Sequence, residues 1–229
     1  MKNIFIYSIL LSSIFCYNIG YSGMYFSDGF TLSGSYSNEK EDGQESNALG
    51  LGVSYLAFQE EVNSSDRPTL FQSGSLEING FYNNIDSDEL NMEMLSMGLG
   101  YYLKNVKFGF HYETLHDFSG DELDNLNEQG FDVEMSAYNQ ILSIGLYNKY
   151  IKASNFTYIP FLDLMITEGE VSSTITLNGI EVASSEGGGE ANLLRLGVGF
   201  KMNNLIVQPM ITINEDEEKR YTITTIFKL

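Results

Sequence analysis

The chain alternates between apolar and polar residues over many short segments, and this feature constrains its fold more than any other. The clearest example runs from Val106 to Thr114. Its two sets of alternate positions are Val106, Phe108, Phe110, Tyr112 and Thr114 on one side and Lys107, Gly109, His111 and Glu113 on the other. Successive side chains of a β-strand point to opposite faces, so this segment predicts a strand with one apolar wall and one polar wall. Comparable segments recur along the chain and predict about ten strands in all.

The composition of the two walls indicates which of them faces inward. The apolar wall is almost uniformly Leu, Ile, Val, Phe, Tyr and Met, whereas the other holds Gly, Ser and Thr with scattered charges. A soluble barrel fills its centre with mixed large and small apolar residues, but a barrel in lipid turns bulky residues outward. Each segment has about 9–11 patterned residues, the length of a tilted spanning strand. We therefore predict a closed antiparallel transmembrane β-barrel of about ten strands, with eight or twelve as alternatives. A soluble exported β-protein is the competing interpretation.

Aromatic residues and connections give this barrel two rims. Six aromatic residues near strand ends are expected in interfacial girdles: Tyr36, Tyr101, Tyr150, Phe156, Phe200 and Tyr221. Short turns are expected at residues 103–106, 152–155 and 202–204, and long acidic loops at about 38–47, 83–91, 116–134, 168–192 and 214–219. Only the connection at 59–68 departs from this alternation, because it should be short and is not. Asn178-Gly179 predicts a hairpin rising above the barrel, followed by a flexible stretch at Gly187-Gly188-Gly189.

The first residues have the layout of a secretory signal peptide. A short basic start precedes an apolar run from Ile4 to Cys16, and Gly20 and Ser22 are small residues at positions −3 and −1 of a cut before Gly23. We predict a signal peptide over residues 1–22 and a barrel domain over residues 23–229. A membrane anchor would need a longer apolar run, and acylation at Cys16 would need a small residue in place of its Phe neighbour. Cys16 is the single cysteine, so no disulfide or cysteine metal site is expected.

The C-terminal strand carries a resemblance to a known class of proteins. Tyr221, Ile223, Phe227 and Leu229 share one face of a strand with which the sequence ends. This resembles the C-terminal targeting strand of bacterial outer-membrane β-barrel proteins, and the whole pattern is similar to small porin-like and opacity-type surface barrels. That family usually ends in Phe or Trp, whereas here the aromatic residue is displaced to Phe227. The resemblance implies location in the outer membrane, contact with its lipid, insertion by the barrel-assembly machinery, short periplasmic turns and extracellular loops.

Charge limits the partners. Asp and Glu number 31 against 12 Lys and Arg, which gives a net charge of −19. Phosphate backbones require clustered cations, so nucleic acid is excluded as a partner. The acidic loops are consistent with a solvated rim that prevents aggregation, with a basic extracellular partner or with divalent cations, although no loop has the spacing of a defined calcium site. We expect no resident cofactor or metal.

Several charged residues fall on the predicted inner wall. These lumen-lining candidates are Glu77, Lys107, His111, Glu113, Lys149, Asp163, Arg195, Lys201 and Lys228. His111, Glu113 and Lys107 could form a proton relay or a pore constriction. Charges inside a narrow barrel must find partners, however, which favours a salt-bridged plug that these three form together with the other six residues.

Catalysis has little support in the sequence. Barrel hydrolases pair a His with a nearby Ser, and His116 and Ser119 are three residues apart, which does not place them on one face of a strand. Omptin-type proteases use paired Asp with a rim Asp-His, and no matching motif occurs. The leading hypothesis is a non-enzymatic surface barrel whose acidic loops make contacts. A small cation-preferring channel is the alternative, and a barrel hydrolase is a weaker one.

Overall fold

The computed structural model describes residues 22–26, 28–41, 44–58, 74–87, 90–103, 105–148, 150–151 and 156–229. Its elements in chain order are β1 Gly29–Glu41, β2 Gln44–Phe58, β3 Gly74–Ser87, β4 Asn91–Leu103, β5 Val106–Ser119, α1 Asp121–Glu128, β6 Phe131–Tyr147, β7 Tyr150–Ile151, β8 Phe156–Leu177, β9 Ile180–Met202, β10 Leu205–Ile213 and β11 Lys219–Lys228. Among the described residues, no helix is both long enough and apolar enough to cross a lipid bilayer.

The strands form a closed antiparallel ring. Each long strand pairs with the next one along the chain, β6 pairs with β8, and β1 pairs with β11. The short β7 pairs only with the first residues of β8 and continues the β6–β8 hairpin. Ten strands therefore make the wall, and the predicted fold class is confirmed. A closed ring leaves no unpaired strand edge within the bilayer, where an unmet backbone group would cost several kcal/mol.

The apolar wall faces outward, as the alternation predicts. Leu51, Met97 and Leu142 are 68%, 70% and 59% exposed, whereas Lys107 and His111 on the opposite wall are 1% and 0% exposed. The inner wall is more mixed than we expected, since apolar side chains also line it in two clusters. Large apolar side chains spread around the outside of a closed barrel are stable only in lipid. The competing interpretation, a soluble exported β-protein, is therefore wrong.

The two ends of the barrel differ. At one end, called the turn end, Leu103 pairs with Val106 and Met202 pairs with Leu205 across tight hairpins. The N-terminal residue of β1 and the C-terminal residue of β11 lie at this end too. The other end is called the loop end, and there β6, β8 and β9 extend beyond their neighbours. The connections expected at residues 59–68 and 152–155 lie outside the described residues.

The loop end has more regular structure than the sequence indicated. The expected loop at 168–192 is the paired ends of β8 and β9, and the expected loop at 116–134 contains the end of β5 and helix α1. The hairpin at Asn178-Gly179 is confirmed, with positive φ values of 54° and 77°. The expected flexible stretch at 187–189 is wrong. Gly187–Gly189 pair with β8, because backbone hydrogen bonds need no side chain, and a Cβ at Gly188 would lie 2.8 Å from the Gly169 carbonyl oxygen.

The outer wall changes character along the strands at the loop end. On β6 the outward residues change from Leu142 to Gln140, and on the neighbouring β8 from Ile166 to Glu168. The outward face of β9 is apolar from Leu194 to Met202. This segment is about 27 Å long, which corresponds to about 20 Å of membrane thickness when the strand is tilted by ~40°. These changes mark the loop-end boundary of the membrane.

Aromatic side chains mark both boundaries. Tyrosines near the loop-end boundary are Tyr36, Tyr82, Tyr112, Tyr138 and Tyr221, and aromatic residues near the turn end are Phe30, Tyr55, Tyr101, Tyr150, Tyr158, Phe200 and Phe227. Two pairs stack across strands, Tyr112 on Tyr138 at 6.1 Å and Tyr150 on Tyr158 at 5.1 Å between ring centroids. Amphipathic rings of this kind lie at the level of lipid headgroups. The side chain of Phe156, expected in a girdle, lies outside the described residues.

Candidate functional site

A buried charge triad lies in the barrel interior. Asp163 Oδ2 accepts a hydrogen bond from Lys107 Nζ at 2.8 Å and from Arg195 Nε at 3.2 Å, and all three side chains are at most 2% exposed. Asp163 and Arg195 are directly opposite each other on β8 and β9. Lys107 reaches Asp163 across β6 because Gly145 separates them, and a Cβ on Gly145 would overlap both side chains. The triad can therefore form only because position 145 has no side chain.

A second ion pair closes the seam between β1 and β11. Arg220 and Glu39 are cross-strand partners, and Arg220 Nη2 lies 2.8 Å and 3.0 Å from the two oxygens of Glu39. Both side chains are nearly fully buried. Two hydrogen bonds to one carboxylate fix the geometry as well as the charge.

Two further inward polar residues, His111 and Glu113, lie between these ion pairs. His111 is fully buried opposite Gly98, where an added Cβ would overlap the imidazole ring. Glu113 is also buried, and the Asn139 side chain hydrogen-bonds to it. Neither group is open to a substrate from the surface. Both side chains lie in the closed interior of the barrel.

Glu77 contacts an N-terminal segment inside the turn end of the barrel. Ser22 donates to Glu77 Oε1 from its backbone nitrogen at 3.3 Å and from its hydroxyl at 2.6 Å, and the Gly23 nitrogen donates to Oε2 at 3.2 Å. The Tyr102 hydroxyl also donates to Oε2. We call residues 22–26 the inserted segment, and all five of its residues are buried.

Apolar packing and one lysine hold the inserted segment. Met24, Tyr25 and Phe26 belong to a buried cluster whose other members are Leu56, Phe81, Tyr102, Ile141, Tyr147, Ile159, Phe161, Met165, Ile206, Met210 and Ile226. Lys201 Nζ donates to the Tyr25 carbonyl oxygen at 2.8 Å and lies 4.3 Å from the centre of the Phe26 ring. Burial raises the pKa of the Tyr25 hydroxyl well above its usual range. The segment fills the turn end of the lumen.

A second apolar cluster fills the loop end. Its members are Ala48, Ile85, Leu90, Met92, Met94, Ala137 and Val171, with Leu115, Phe118, Leu123 and Met135 packed against them. Leu123 comes from α1, which lies against β6. Apolar side chains thus fill both ends of the interior, together with Glu77 at the turn end and the Arg220–Glu39 pair towards the loop end.

The remaining sequence candidates are less buried. Lys228 is partly exposed and pairs with Asp28 at 2.6 Å, Lys201 is half-buried, and Lys149 lies outside the described residues. The residues proposed for targeting, Tyr221, Ile223, Phe227 and Leu229, are all outward-facing and 48–66% exposed on or just after β11. Sequence reasoning missed the inserted segment and Glu39 with Arg220.

Strands β6, β8 and β9 continue beyond the membrane boundary as a three-stranded sheet. We call residues 131–139, 167–177 and 180–192 of these strands the loop-end sheet. It contains seven acidic residues and no Lys, Arg or His: Asp132, Glu134, Glu168, Glu170, Glu181, Glu186 and Glu190. Within the described part of the chain, β10 pairs with β9 only from Leu194 to Met202, so residues 180–191 of β9 have no strand along their outer edge.

The described residues contain no cluster of side chains suited to binding a metal ion. No three His, Cys, Asp or Glu side chains come together there in an arrangement that could hold an ion. His116 and Ser119 both lie near the exposed end of β5.

Comparisons with known proteins give fold likeness only. No family model matches the chain, and no curated protein matches it. Among solved structures, the chain is similar to the beta domain of the Bordetella autotransporter Brka, with 10% identity, a TM-score of 0.45, and coverage of 89% of this chain and 99% of that one. The transport unit of the autotransporter AIDA-I from Escherichia coli is 10% identical, with a TM-score of 0.45 and coverage of 99% of this chain and 97% of that one. Neisserial surface protein A is 11% identical, with a TM-score of 0.38 and coverage of 88% of this chain and 98% of that one.

The class of protein follows from the geometry of this chain. A closed antiparallel ring of ten strands, an outward apolar belt and aromatic girdles are together the features of an outer-membrane β-barrel. The protein is an integral barrel of the outer membrane, in contact with its lipid.

Proposed function

We propose that this protein is a closed, non-catalytic barrel whose loop-end sheet binds an extended, basic segment of an extracellular partner. The observation that carries the proposal is the outer edge of β9 over residues 180–191, which pairs with no described strand and belongs to a sheet with seven acidic residues and no Lys, Arg or His. A partner strand added to that edge would gain main-chain hydrogen bonds, and lysine or arginine side chains would gain electrostatic attraction.

The shape of the loop-end sheet supports this function. From residue 167 to residue 177, β8 extends about 34 Å, or about 26 Å in height at a ~40° tilt. On β9, Ile180 and Val182 are 69% and 51% exposed near the top of the free edge. An exposed strand edge is a template for another strand unless it is blocked. The sheet therefore offers both apolar and hydrogen-bonding contacts.

The filled interior supports a closed barrel. The Lys107–Asp163–Arg195 triad lies in its interior, the Arg220–Glu39 pair lies nearer the loop end, and apolar clusters occupy both ends, one of them containing the inserted segment. A barrel of about ten strands has little free bore even before such filling. These features favour a closed membrane anchor over a cation-preferring channel. His111, one of the two histidines in the chain, is fully buried and cannot reach a substrate at the surface, which supports a non-catalytic role.

Outer-membrane insertion is part of the proposal. The outward face of β11, with Phe227 near its end, supports recognition by the barrel-assembly machinery. Phe227→Ser should reduce the amount of barrel in the outer membrane, whereas Thr224→Ser, at a buried position on the same strand, should not. Equal insertion of the two variants would contradict this part of the proposal.

Fluorescence anisotropy with the full-length barrel in neutral detergent tests partner binding. The probe is a labelled peptide of alternating Lys and Val, which can form a strand. We expect binding that weakens as salt rises from about 0.05 M to about 0.5 M, because screening shortens the range of the attraction. A peptide with Glu in place of Lys should not bind. A peptide with Pro in place of Val keeps the charge but cannot pair as a strand, and it should bind more weakly.

Two matched triple variants locate the site. Glu181→Gln, Glu186→Gln and Glu190→Gln together remove three charges from β9, and should weaken binding of the Lys-Val peptide. Asp121→Asn, Asp124→Asn and Glu128→Gln remove three exposed charges from α1 and should leave it nearly unchanged. Equal loss in both variants, or equal binding of the Pro peptide, would overturn binding at the β9 edge.

A further inference from the structure

We infer that Glu77 is the binding site for the α-ammonium group of a processed chain that begins at Gly23. This inference goes beyond the proposed function and does not depend on whether the loop-end sheet binds a partner. It concerns the opposite end of the barrel, where the inserted segment lies.

The first support is the set of donors around Glu77. This carboxylate is 0% exposed, and within the described part of the chain it accepts hydrogen bonds from Tyr102 and from the two residues on either side of the predicted cut. The Gly23 nitrogen is already 3.2 Å from Oε2. Removal of residues 1–22 would convert this amide nitrogen into an ammonium group at the same place.

The second support is the charge balance of the interior. Among the described residues, the buried cations are Lys107, Arg195 and Arg220, and the buried anions are Glu39, Glu77, Glu113 and Asp163. No described Lys, Arg or His forms an ion pair with Glu77, and Lys107 attracts it only from a longer distance. A buried carboxylate without a cation is strongly unfavourable. One ammonium group at Gly23 would make the buried cations equal in number to the anions.

The third support is steric. A Cβ at position 23 would overlap the ring of Tyr102, whose hydroxyl also binds Glu77. Only glycine therefore brings its nitrogen to this carboxylate. A Cβ at position 199 would likewise overlap Tyr25, so two glycines shape the space that the inserted segment occupies.

The covalent step is ordinary hydrolysis. A leader peptidase adds one water across the Ser22–Gly23 peptide bond, which leaves a carboxylate on Ser22 of the released leader and an amine on Gly23. At neutral pH the amine carries a proton. Processing would thus supply the missing cation and remove the Ser22 contacts.

Mass spectrometry and amine labelling of the mature barrel, purified from outer membranes, test the inference. The intact mass should correspond to a first residue of Gly23. An amine-reactive ester, read out on the N-terminal peptide, should label the folded barrel at least about tenfold more slowly than the unfolded chain, as for a group whose exposure costs ~1.4 kcal/mol. A different first residue, or equal labelling rates, would overturn the inference.

Three variants separate the ion pair from simple burial. Glu77→Gln should lose the protection, whereas Glu134→Gln, an exposed carboxylate at the loop end, should retain it. Ser22→Ala keeps a small residue at the cut and should give a mature protein identical in mass and protection to the wild type. Protection that survives in Glu77→Gln would show that burial alone is responsible. A mature mass 16 Da lower in Ser22→Ala, the mass of the lost oxygen, would show that Ser22 is retained, and either result refutes the ammonium site.

Discussion

Substitution of Asp163 by Asn tests whether the buried triad is held by charge. The change removes the anion that Lys107 and Arg195 share and leaves two cations in a place where all three side chains are at most 2% exposed. Breaking a buried ion pair by removing one partner costs about 3–5 kcal/mol. We expect Asp163→Asn to lower the free energy of unfolding by that amount.

The matched variant is Lys107→Met, which leaves Asp163 paired with Arg195. It removes one charged hydrogen bond and a contact between the ammonium group and the Phe161 ring at 5.5 Å, so we expect a smaller loss of about 1–3 kcal/mol. The double variant leaves only one buried cation without its anion. It should therefore be more stable than the sum of the single losses predicts, by about 0.5–3 kcal/mol.

Urea unfolding in phospholipid vesicles measures these differences. The folded and unfolded fractions can be read from their separate bands on an unheated detergent gel. The reasoning is refuted if Asp163→Asn lies within about 1 kcal/mol of the wild type, or if Lys107→Met costs as much as Asp163→Asn.

Three further results are expected. Leu196→Arg, on the outward apolar belt, should lower the free energy of unfolding by about 2–4 kcal/mol, because a cation near the bilayer midplane is unfavourable. Ser136→Arg, above the membrane boundary, should lower it by only about 0–1 kcal/mol. Equal losses would contradict the position of the membrane boundary. Gly199→Ala should displace Tyr25 and make the inserted segment sensitive to protease in the folded barrel, and resistance like that of the wild type would contradict the packing described above. The wild-type barrel in a planar bilayer should show no stable conductance, since its interior is filled, and steady current steps would contradict a closed barrel.

Alternation predicted the facing of side chains well because it depends only on local backbone geometry. Every described residue of β5 from Lys107 to Glu113 lies on the expected wall. Strand number followed from counting such segments. The loop end was less predictable, since Gly, Ser and Glu are typical of loops, yet Gly187–Gly189 complete a strand when β8 lies beside them.

The interior pairs could not be derived from the same reasoning. The sequence indicates that Asp163 and Arg195 point inward, but only the register places them opposite each other. The role of Gly145 likewise appears only once Lys107 and Asp163 are known to lie on either side of it. Glu39 was assigned to a loop, because the extension of β1 beyond the membrane boundary has no apolar alternation to reveal it.

The inserted segment has no periodic pattern and was therefore missed. Residues 22–26 are too few to show an alternation, and sequence reasoning treated them as the join between leader and barrel. Two signals were available: three consecutive apolar residues, Met24, Tyr25 and Phe26, outside any strand, and an inward carboxylate at Glu77 with no assigned cation. Both are explained when the segment turns back into the barrel.

The seam between β1 and β11 has a kinetic consequence. Its paired residues are almost 200 positions apart in the chain, as in Thr31 with Lys228, whereas most other pairings join consecutive strands. Bringing such distant segments together has a large loop-closure entropy, and contacts of high sequence separation slow folding. Until the seam forms, β1 and β11 both have open edges, and the Arg220–Glu39 pair is absent. The rate at which a complete barrel appears should therefore follow this single pairing event, while the hairpins form much earlier.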